Sequence, residues 1–314
     1  MESVLTGLRS IVFGVTGYLQ FTKAGYERAS KTFEPLGRMD GKIAVVTGAN
    51  SGIGYETALG LAYMGATVHM VCRNQERGDS AKQRIVEASS NNNVALDIVD
   101  MSCPAEIKAF ADSITKKHKS IDVLVNNAGV LLNQRSETKD GIETTFATNT
   151  LGVYYLTKLL IPCIPQGGRV INVSSGGMYN VKLSSNDLEY KTRPYDGVLA
   201  YAQTKRAEVE LAAKWAQLFP SIRFNSMHPG WAETPGLESS LPSFFSSLKS
   251  ELRTAKQGAD TIIWAVSSDA VLKTDNGSFL FDRRQVSPHL TFAMTAADPS
   301  EIETLISACE AYLK

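Results

Sequence analysis

From Lys42 onward the chain alternates short β-branched runs with longer amphipathic stretches, and few architectures accept that order. The runs are Ile43–Val46, Thr67–Val71, Val94–Leu96, Val123–Val125, Val170–Val173, Arg223–Met227 and Ser278–Phe281. Between and after them the spacing predicts helices over Ile53–Met64, Ala105–His118, Thr144–Ile161, Tyr201–Leu218, Gln257–Ser267 and Pro299–Leu313. Strands this continuously apolar are buried on both faces, which implies a parallel sheet covered by helices on each side. Ser300 and Glu303 have capping-box spacing at the start of the last helix. No repeat or linker-like break interrupts residues 41–314, so they read as one domain, with residues 1–40 as an N-terminal helical appendage.

The first run leads straight into Gly48-Ala49-Asn50-Ser51-Gly52-Ile53-Gly54, and a helix follows at once. Glycines let the chain turn sharply and let an anion approach the free amides at a helix N-terminus. A pyrophosphate is the expected ligand, and the strand–loop–helix context carries more weight than the glycines alone. With 32 basic and 32 acidic residues the net charge is zero, which argues against nucleic acid as the partner. The 4 cysteines include no CxxC pair and suit free thiols in a reducing compartment. The 4 histidines lack metal-ligand spacing, so no metal site is expected.

Four further elements lie downstream in a fixed order. Asn126-Asn127-Ala128-Gly129 follows one strand, Asn149 sits in a helical stretch, and Ser174-Ser175 ends the next strand. Tyr201-x-x-x-Lys205 then opens a helix, and Pro229-Gly230-x-x-x-Thr234 follows a strand. Together with the glycine loop they resemble the short-chain dehydrogenase/reductase family over about residues 41–289. Met70–Asn74, Ser174–Met178 and Ser226–Gly236 point within it to the retinol-dehydrogenase-like branch.

The resemblance implies a Rossmann-type doubly wound sheet and an oxidoreductase that interconverts a carbonyl and an alcohol. It implies Asn149, Ser175, Tyr201 and Lys205 as the catalytic set. The expected cofactor contacts are Gly48, Asn50, Ser51, Gly52, Ile53, Gly54, Arg73, Asp97, Asn126, Ala128, Gly129, Tyr201, Lys205, Pro229 and Thr234. The side chains make sense of this chemistry. A carbonyl receiving hydride needs a hydrogen-bond donor and then a proton. A phenol with a pKa of about 10 holds its proton too tightly near neutrality. A lysine four residues on shares its helix face and favours the phenolate. In the family the lysine also holds the nicotinamide ribose, and Asn149 holds a water in the proton relay.

Tyr154-x-x-x-Lys158 has the same spacing but precedes the serine strand, so it reads as packing or as an exposed helical surface. Tyr179 has Leu183 four residues on and lacks a lysine partner. Ser175 and Tyr201 are 26 positions apart, and the intervening insertion 182–198 is expected at the substrate rim. The second strand ends Cys72-Arg73-Asn74, with no carboxylate until Glu76. A carboxylate there binds a ribose hydroxyl, whereas Arg accommodates a 2′-phosphate, so NADP(H) is expected ahead of NAD(H). Leu237, Leu241, Phe244, Phe245, Leu248 and Leu252 recur at helical spacing, either as a core-facing helix or as a cap over a lipophilic substrate. The alternatives are a catalytically silent NADP(H)-responsive binding protein and an NAD-linked alcohol dehydrogenase.

Residues 1–40 carry apolar side chains at Val4, Leu8, Ile11, Val12, Val15, Tyr18 and Leu19. Such a helix must bury its stripe against its own domain, a second copy of the chain in a homo-oligomer, or a membrane interface. The 13 uncharged residues from Ser10 to Thr22 are too few for a full span. Glu2 stands where a secretory signal is basic, so an intracellular site is expected, cytoplasmic or peripherally membrane-associated through residues 1–36. The sequons at Asn172 and Asn276 read as chance.

Overall fold

The computed structural model describes residues 11–291 and 293–313. Eight strands form one sheet in the order β3-β2-β1-β4-β5-β6-β7-β8. They are β1 Ile43–Thr47, β2 Thr67–Cys72, β3 Val94–Ile98, β4 Val123–Asn126, β5 Arg169–Val173, β6 Arg223–Met227, β7 Phe279–Phe281 and β8 Arg284–Val286. The first seven pair in parallel, and β8 turns back antiparallel on β7. The order reverses between β1 and β4, whose C-terminal ends open the crevice where ligands bind in doubly wound sheets.

Two apolar layers cover the sheet. One joins Val45, Leu124 and Val170 to Ile107, Phe146, Leu156 and Leu211. The other joins Val46, Val125 and Ile171 to Leu61, Ile85 and Ile262. Side chains alternate across each strand, so strands facing two helical layers must be apolar on both faces.

Several local expectations differ from the structure. The helix Gln75–Ser89 shows no apolar stripe in the sequence, because polar and charged residues together dominate it and only Gly78, Ala81 and Ile85 are buried. Its start is set by Asn74, whose side chain accepts from the Arg77 amide at 2.9 Å. The stretch 144–161 is interrupted by a π turn, Ala147–Leu151. The leucine–phenylalanine stretch breaks at Leu241 into helices Pro235–Ser240 and Pro242–Leu248, since Pro242 supplies no amide donor. The helix carrying Tyr201 begins earlier, at Gly197, capped by Asp196. The last helix is capped by Asp298, whose carboxylate accepts from the Ser300 amide, while Glu303 pairs with Lys214 instead of closing a capping box. β8 lacked an apolar signal because only Val286 is even half-buried.

Val4 and Leu8 lie outside the described residues. The helical segment 11–21 lays one face on the domain. Phe21 is buried against His228, Trp231, Tyr179 and Phe281. A Cβ on Gly17 would lie 2.3 Å from the Trp231 ring, so this contact admits only glycine. Arg253, fully buried, donates to the carbonyls of Gln20, Phe21 and Thr22 and forms a two-pronged ion pair with Asp282 at 2.6 and 3.0 Å. These carbonyls end a helical turn, where acceptors need partners from outside the helix, and those of Phe21 and Thr22 also accept from the amides of Trp231 and Tyr26. The opposite face leaves Ile11, Val15, Tyr18 and Leu19 more than half exposed.

Candidate active site

At the C-terminal ends of β1, β4, β5 and β6 lies an open cleft of about 430 Å³. Its lining brings together residues from the whole chain: Gly48 and residues 50–54, Arg73, residues 127–130, Tyr201, Lys205, Pro229 and Thr234. The glycine loop is shaped for a close backbone approach. A Cβ on Gly54 would meet the Gly48 carbonyl at 2.3 Å and Asn127 Nδ2 at 2.4 Å, and Gly48 and Gly52 adopt positive φ. The helix Gly52–Tyr63 starts with no side-chain cap from Ser51, so its first amides face the cleft as anion donors. The donor set fits the pyrophosphate of a dinucleotide.

Tyr201 and Lys205 stand one turn apart on the helix Gly197–Leu218, with Lys205 Nζ 5.6 Å from the Tyr201 ring centre. Lys205 is buried, and its ammonium donates to the Val173 carbonyl at 2.9 Å and to Glu208 Oε1 at 2.7 Å. Burial works against its charge, but Glu208 and Tyr201 beside it hold the ammonium above the ordinary lysine value. Burial pushes the Glu208 carboxyl up to about 8, against the pull of Lys205. Ser174 Oγ donates to the Lys205 carbonyl at 2.7 Å, and Asn172 Nδ2 to the Glu208 carbonyl at 2.9 Å. Those bonds clamp the helix to β5.

Asn149 lies in the π turn, a helix irregularity that often marks functional sites. Its amide closes two bonds with the Val130 backbone, each 2.8 Å, and a third with Thr204 at 3.1 Å. A Cβ on Gly129 would sit 3.1 Å from Lys205 Nζ and 3.4 Å from Asn149 Oδ1, so Gly129 marks their meeting point. Ser175 caps the turn Gly176–Asn180, its Oγ accepting from the Gly177 amide at 3.3 Å. A Cβ on Gly177 would lie 3.7 Å from Ser175 Oγ and 3.9 Å from Ala202, one residue past Tyr201, and Ser174 rather than Ser175 lines the cleft itself.

Two expected cofactor contacts lie elsewhere. Asp97 does not line the cleft and pairs at 2.7 Å with His69, whose other ring nitrogen meets His118 at 2.8 Å. Asp100 and Met101, three and four residues on, line the cleft instead. Asn126 is buried behind the lining, bonded to Thr157 and Asn172, and Asn127 takes its place at the surface of the cleft. Both departures come from strand ends: the apolar pattern located β3 and β4 but not the residue at which each chain turns into the cleft.

Arg73 stands at the rim, 4.0 Å from Asp100, and Arg77 joins it one turn into the missed helix. Arg77 went unnoticed for want of that helix. Glu208 was missed because nothing in the sequence says that the face three residues past Lys205 is buried. Thr234, Pro235 and Gly236 line the cleft, Thr234 beside Gly52, and lead into the two short helices. Ser240 Oγ donates to the Leu131 carbonyl at 2.8 Å, tying this roof to the loop after Gly129.

Tyr154 packs on Trp215 and donates to Glu310, which Lys158 also holds at 2.6 and 2.7 Å. That pair fastens the C-terminal helix and lies outside the cleft lining. Tyr179 donates to the Ser287 carbonyl at 3.1 Å. His228 supports the Pro-Gly turn as expected, accepting from the Gly230 amide at 3.1 Å. Asn172 is buried in β5. A larger cleft of about 740 Å³, beside Arg28 and Arg283, contains none of the four proposed catalytic residues.

A family model described as short chain dehydrogenase matches residues 42–243. The chain is 46% identical over 307 residues to human dehydrogenase/reductase SDR family member 12, covering 96% of both chains. It is 34% identical over 267 residues to human retinol dehydrogenase 12, covering 82% of this chain and 84% of that protein. Among solved structures, 3-ketoacyl-(acyl-carrier-protein) reductase from Brucella melitensis, complexed with NADH, superposes with a TM-score of 0.61 at 25% identity. The match covers 77% of this chain and 96% of that one.

Proposed function

The chain belongs to the short-chain dehydrogenase/reductase family, and from that premise we propose that it interconverts a carbonyl and an alcohol on a lipophilic small molecule with NADP(H). The observation that carries this is the convergence of Tyr201, a buried Lys205 ammonium and an uncapped, glycine-rich helix N-terminus on one cleft. A silent binding protein would have no use for a phenol held beside an ammonium. When bound, the dinucleotide supplies or receives the hydride.

The chain's own residues do the rest. The amides at the start of the helix Gly52–Tyr63, with Gly48 and residues 50–53, hold the pyrophosphate. Arg73 and Arg77 bind the 2′-phosphate, where a planar guanidinium makes paired hydrogen bonds. Asp100 and Met101, which line the cleft beside Arg73, would hold the adenine. Pro229 and Thr234 position the nicotinamide end together with Ala128 and Gly129. Lys205 keeps one N–H for the ribose, since its other two are committed to Val173 and Glu208. Ser175 and Tyr201 donate to the substrate oxygen, and Tyr201 gives or takes the proton. Asn149 holds the loop at Val130 and orders the water that resupplies the proton through Lys205.

The apolar residues of the roof, with the 34% identity to a retinol dehydrogenase, support a lipophilic substrate. The test is NADPH consumption with a panel of lipophilic aldehydes and ketones. Tyr201→Phe should lose at least about 100-fold in turnover while binding NADPH as before. Cofactor binding without any turnover in the unmutated protein would favour the silent alternative, and tighter binding of NADH would favour the NAD-linked one.

A second observation supports attachment to a membrane surface. Ile11, Val15, Tyr18 and Leu19 form an exposed apolar face on a segment whose other face is docked. No helix among the described residues is long and apolar enough to cross a membrane. Interfacial seating would let a lipophilic substrate reach the nearby roof without crossing water.

A further inference from the structure

Lys205 is not alone at the base of the cleft. One turn further along the helix, Glu208 places a carboxylate oxygen 2.7 Å from its ammonium, and both side chains are almost wholly buried. The other oxygen, Oε2, is buried without a hydrogen-bond partner. The backbone around them is fixed: Ser174, just past β5, and Asn172 on β5 hold the carbonyls of Lys205 and Glu208. A lysine intended only to support the phenolate would keep its charge undivided. Here an acid stands opposite it, at a cost in desolvation that a structural ion pair seldom recovers.

We propose that Glu208 is a positioning residue that, through Lys205, sets the pH at which Tyr201 gives up its proton. The proposal rests on Tyr201 being the acid/base of the reaction. The ionisable groups that act on this pair are each other and Tyr201. The neighbouring segments contribute Val173 and Asn172 from β5, Gly129 from the loop after β4, and Asn149 from the π turn, none of them titratable. The three side chains therefore form one coupled system whose protons belong to the set.

When Glu208 is ionised it neutralises Lys205, so the phenol keeps its proton to higher pH. When Glu208 is protonated, the ammonium acts fully on Tyr201 and favours phenolate. The unpartnered Oε2 is the atom on which that proton resides. Burial pushes that exchange up to about 8, against the pull of Lys205. The carboxyl thus opposes the lysine as pH rises and holds Tyr201 as a proton donor, which favours carbonyl reduction.

The test uses cofactor-free protein first. Tyrosinate absorbance is titrated with and without Tyr201→Phe, and the difference isolates Tyr201. The same pair is then measured in a Glu208→Gln background. With the opposing charge removed, the Tyr201 midpoint should fall by about one pH unit or more, and the acid/base limb of the kcat/KM profile should move with it. An unmoved midpoint overturns the proposal, since a purely structural ion pair would change stability and leave the titration alone. Should Glu208→Gln not fold, infrared titration of protein carrying Glu210→Gln, which removes the other carboxyl on this helix that burial raises, must show a buried carboxyl losing its proton well above the ordinary glutamate range. Absence of that signal overturns the proposal equally. If Tyr201→Phe retains full turnover, the acid/base assignment itself is wrong. If it is inactive and the midpoint is unmoved, only the role of Glu208 fails.

Discussion

Phe21→Ala tests whether the N-terminal segment is part of the folded core. The ring is 2% exposed and meets His228 at 4.4 Å, Phe281 at 5.3 Å and Trp231 at 5.8 Å, all edge-on, with Tyr179 stacked at 6.2 Å. Removing a fully buried phenylalanine costs about 3–5 kcal/mol, the upper end where neighbours cannot collapse into the space. Here they cannot move far. His228 stacks flat on Phe281 at 4.2 Å, and Trp231 is tied by its own amide to the Phe21 carbonyl at 2.8 Å. At roughly 2 °C per kcal/mol for a chain of this size, the melting temperature should fall by about 6–10 °C. Tyr18→Ala, on the exposed face of the same segment, should change stability by no more than about 0.5 kcal/mol.

The assay is chemical denaturation of both variants beside the unmutated protein. A loss below about 1 kcal/mol for Phe21→Ala would refute the packing argument. The same change should reach the chemistry. A Cβ on Gly176, the residue after Ser175, would lie 3.3 Å from the Phe21 ring, so the ring backs the serine turn. Turnover of folded Phe21→Ala should fall on the order of tenfold, because small displacements of a positioned donor are costly.

Tyr154→Phe should leave turnover within about twofold and instead lower stability by roughly 1–3 kcal/mol, through the loss of its bond to Glu310. Arg73→Ala and Arg77→Ala should each weaken NADPH more than NADH in fluorescence titrations, and equal losses for both cofactors would show that neither reads the 2′-phosphate. Burial holds the His228 imidazole well below its ordinary value, with Arg253 adding to the effect. The folded state therefore resists a proton that the unfolded chain accepts, and stability should fall as pH drops below about 6.5, less so in His228→Gln, in melting curves taken across that range. Replacing Ile11, Val15, Tyr18 and Leu19 together by serine should abolish flotation with liposomes. If the unmutated protein stays in the soluble fraction, membrane attachment is refuted.

What the sequence disclosed follows from which signals are local. The seven parallel strands were legible because each is a short apolar run, and the glycine loop because its chemistry is confined to seven consecutive residues. Tyr201 was separated from Tyr154 by order alone, since both motifs occupy helices and both lysines are paired in the structure. The charged helix Gln75–Ser89 had too few apolar positions to announce itself, and with it went Arg77. Glu208 was invisible for a different reason. An acid on a helix reads as solvated, and only the packing of that helix on β5 makes it a buried partner of Lys205.

The same distinction explains the N-terminal segment, whose apolar positions gave no hint of how they divide. Phe21 and Gly17 face Trp231, whereas Ile11, Val15, Tyr18 and Leu19 face outward. Deleting residues 1–36 would remove both faces at once, stripping Arg253 of three carbonyl acceptors and exposing the rings around His228. A truncated protein that failed to float would therefore say nothing about lipid, because it would also have lost part of its core. Serine substitutions on the outer face avoid this, since they leave Phe21, Arg253 and the serine turn in place. Attachment and catalysis become separable only at the level of faces of one helical turn.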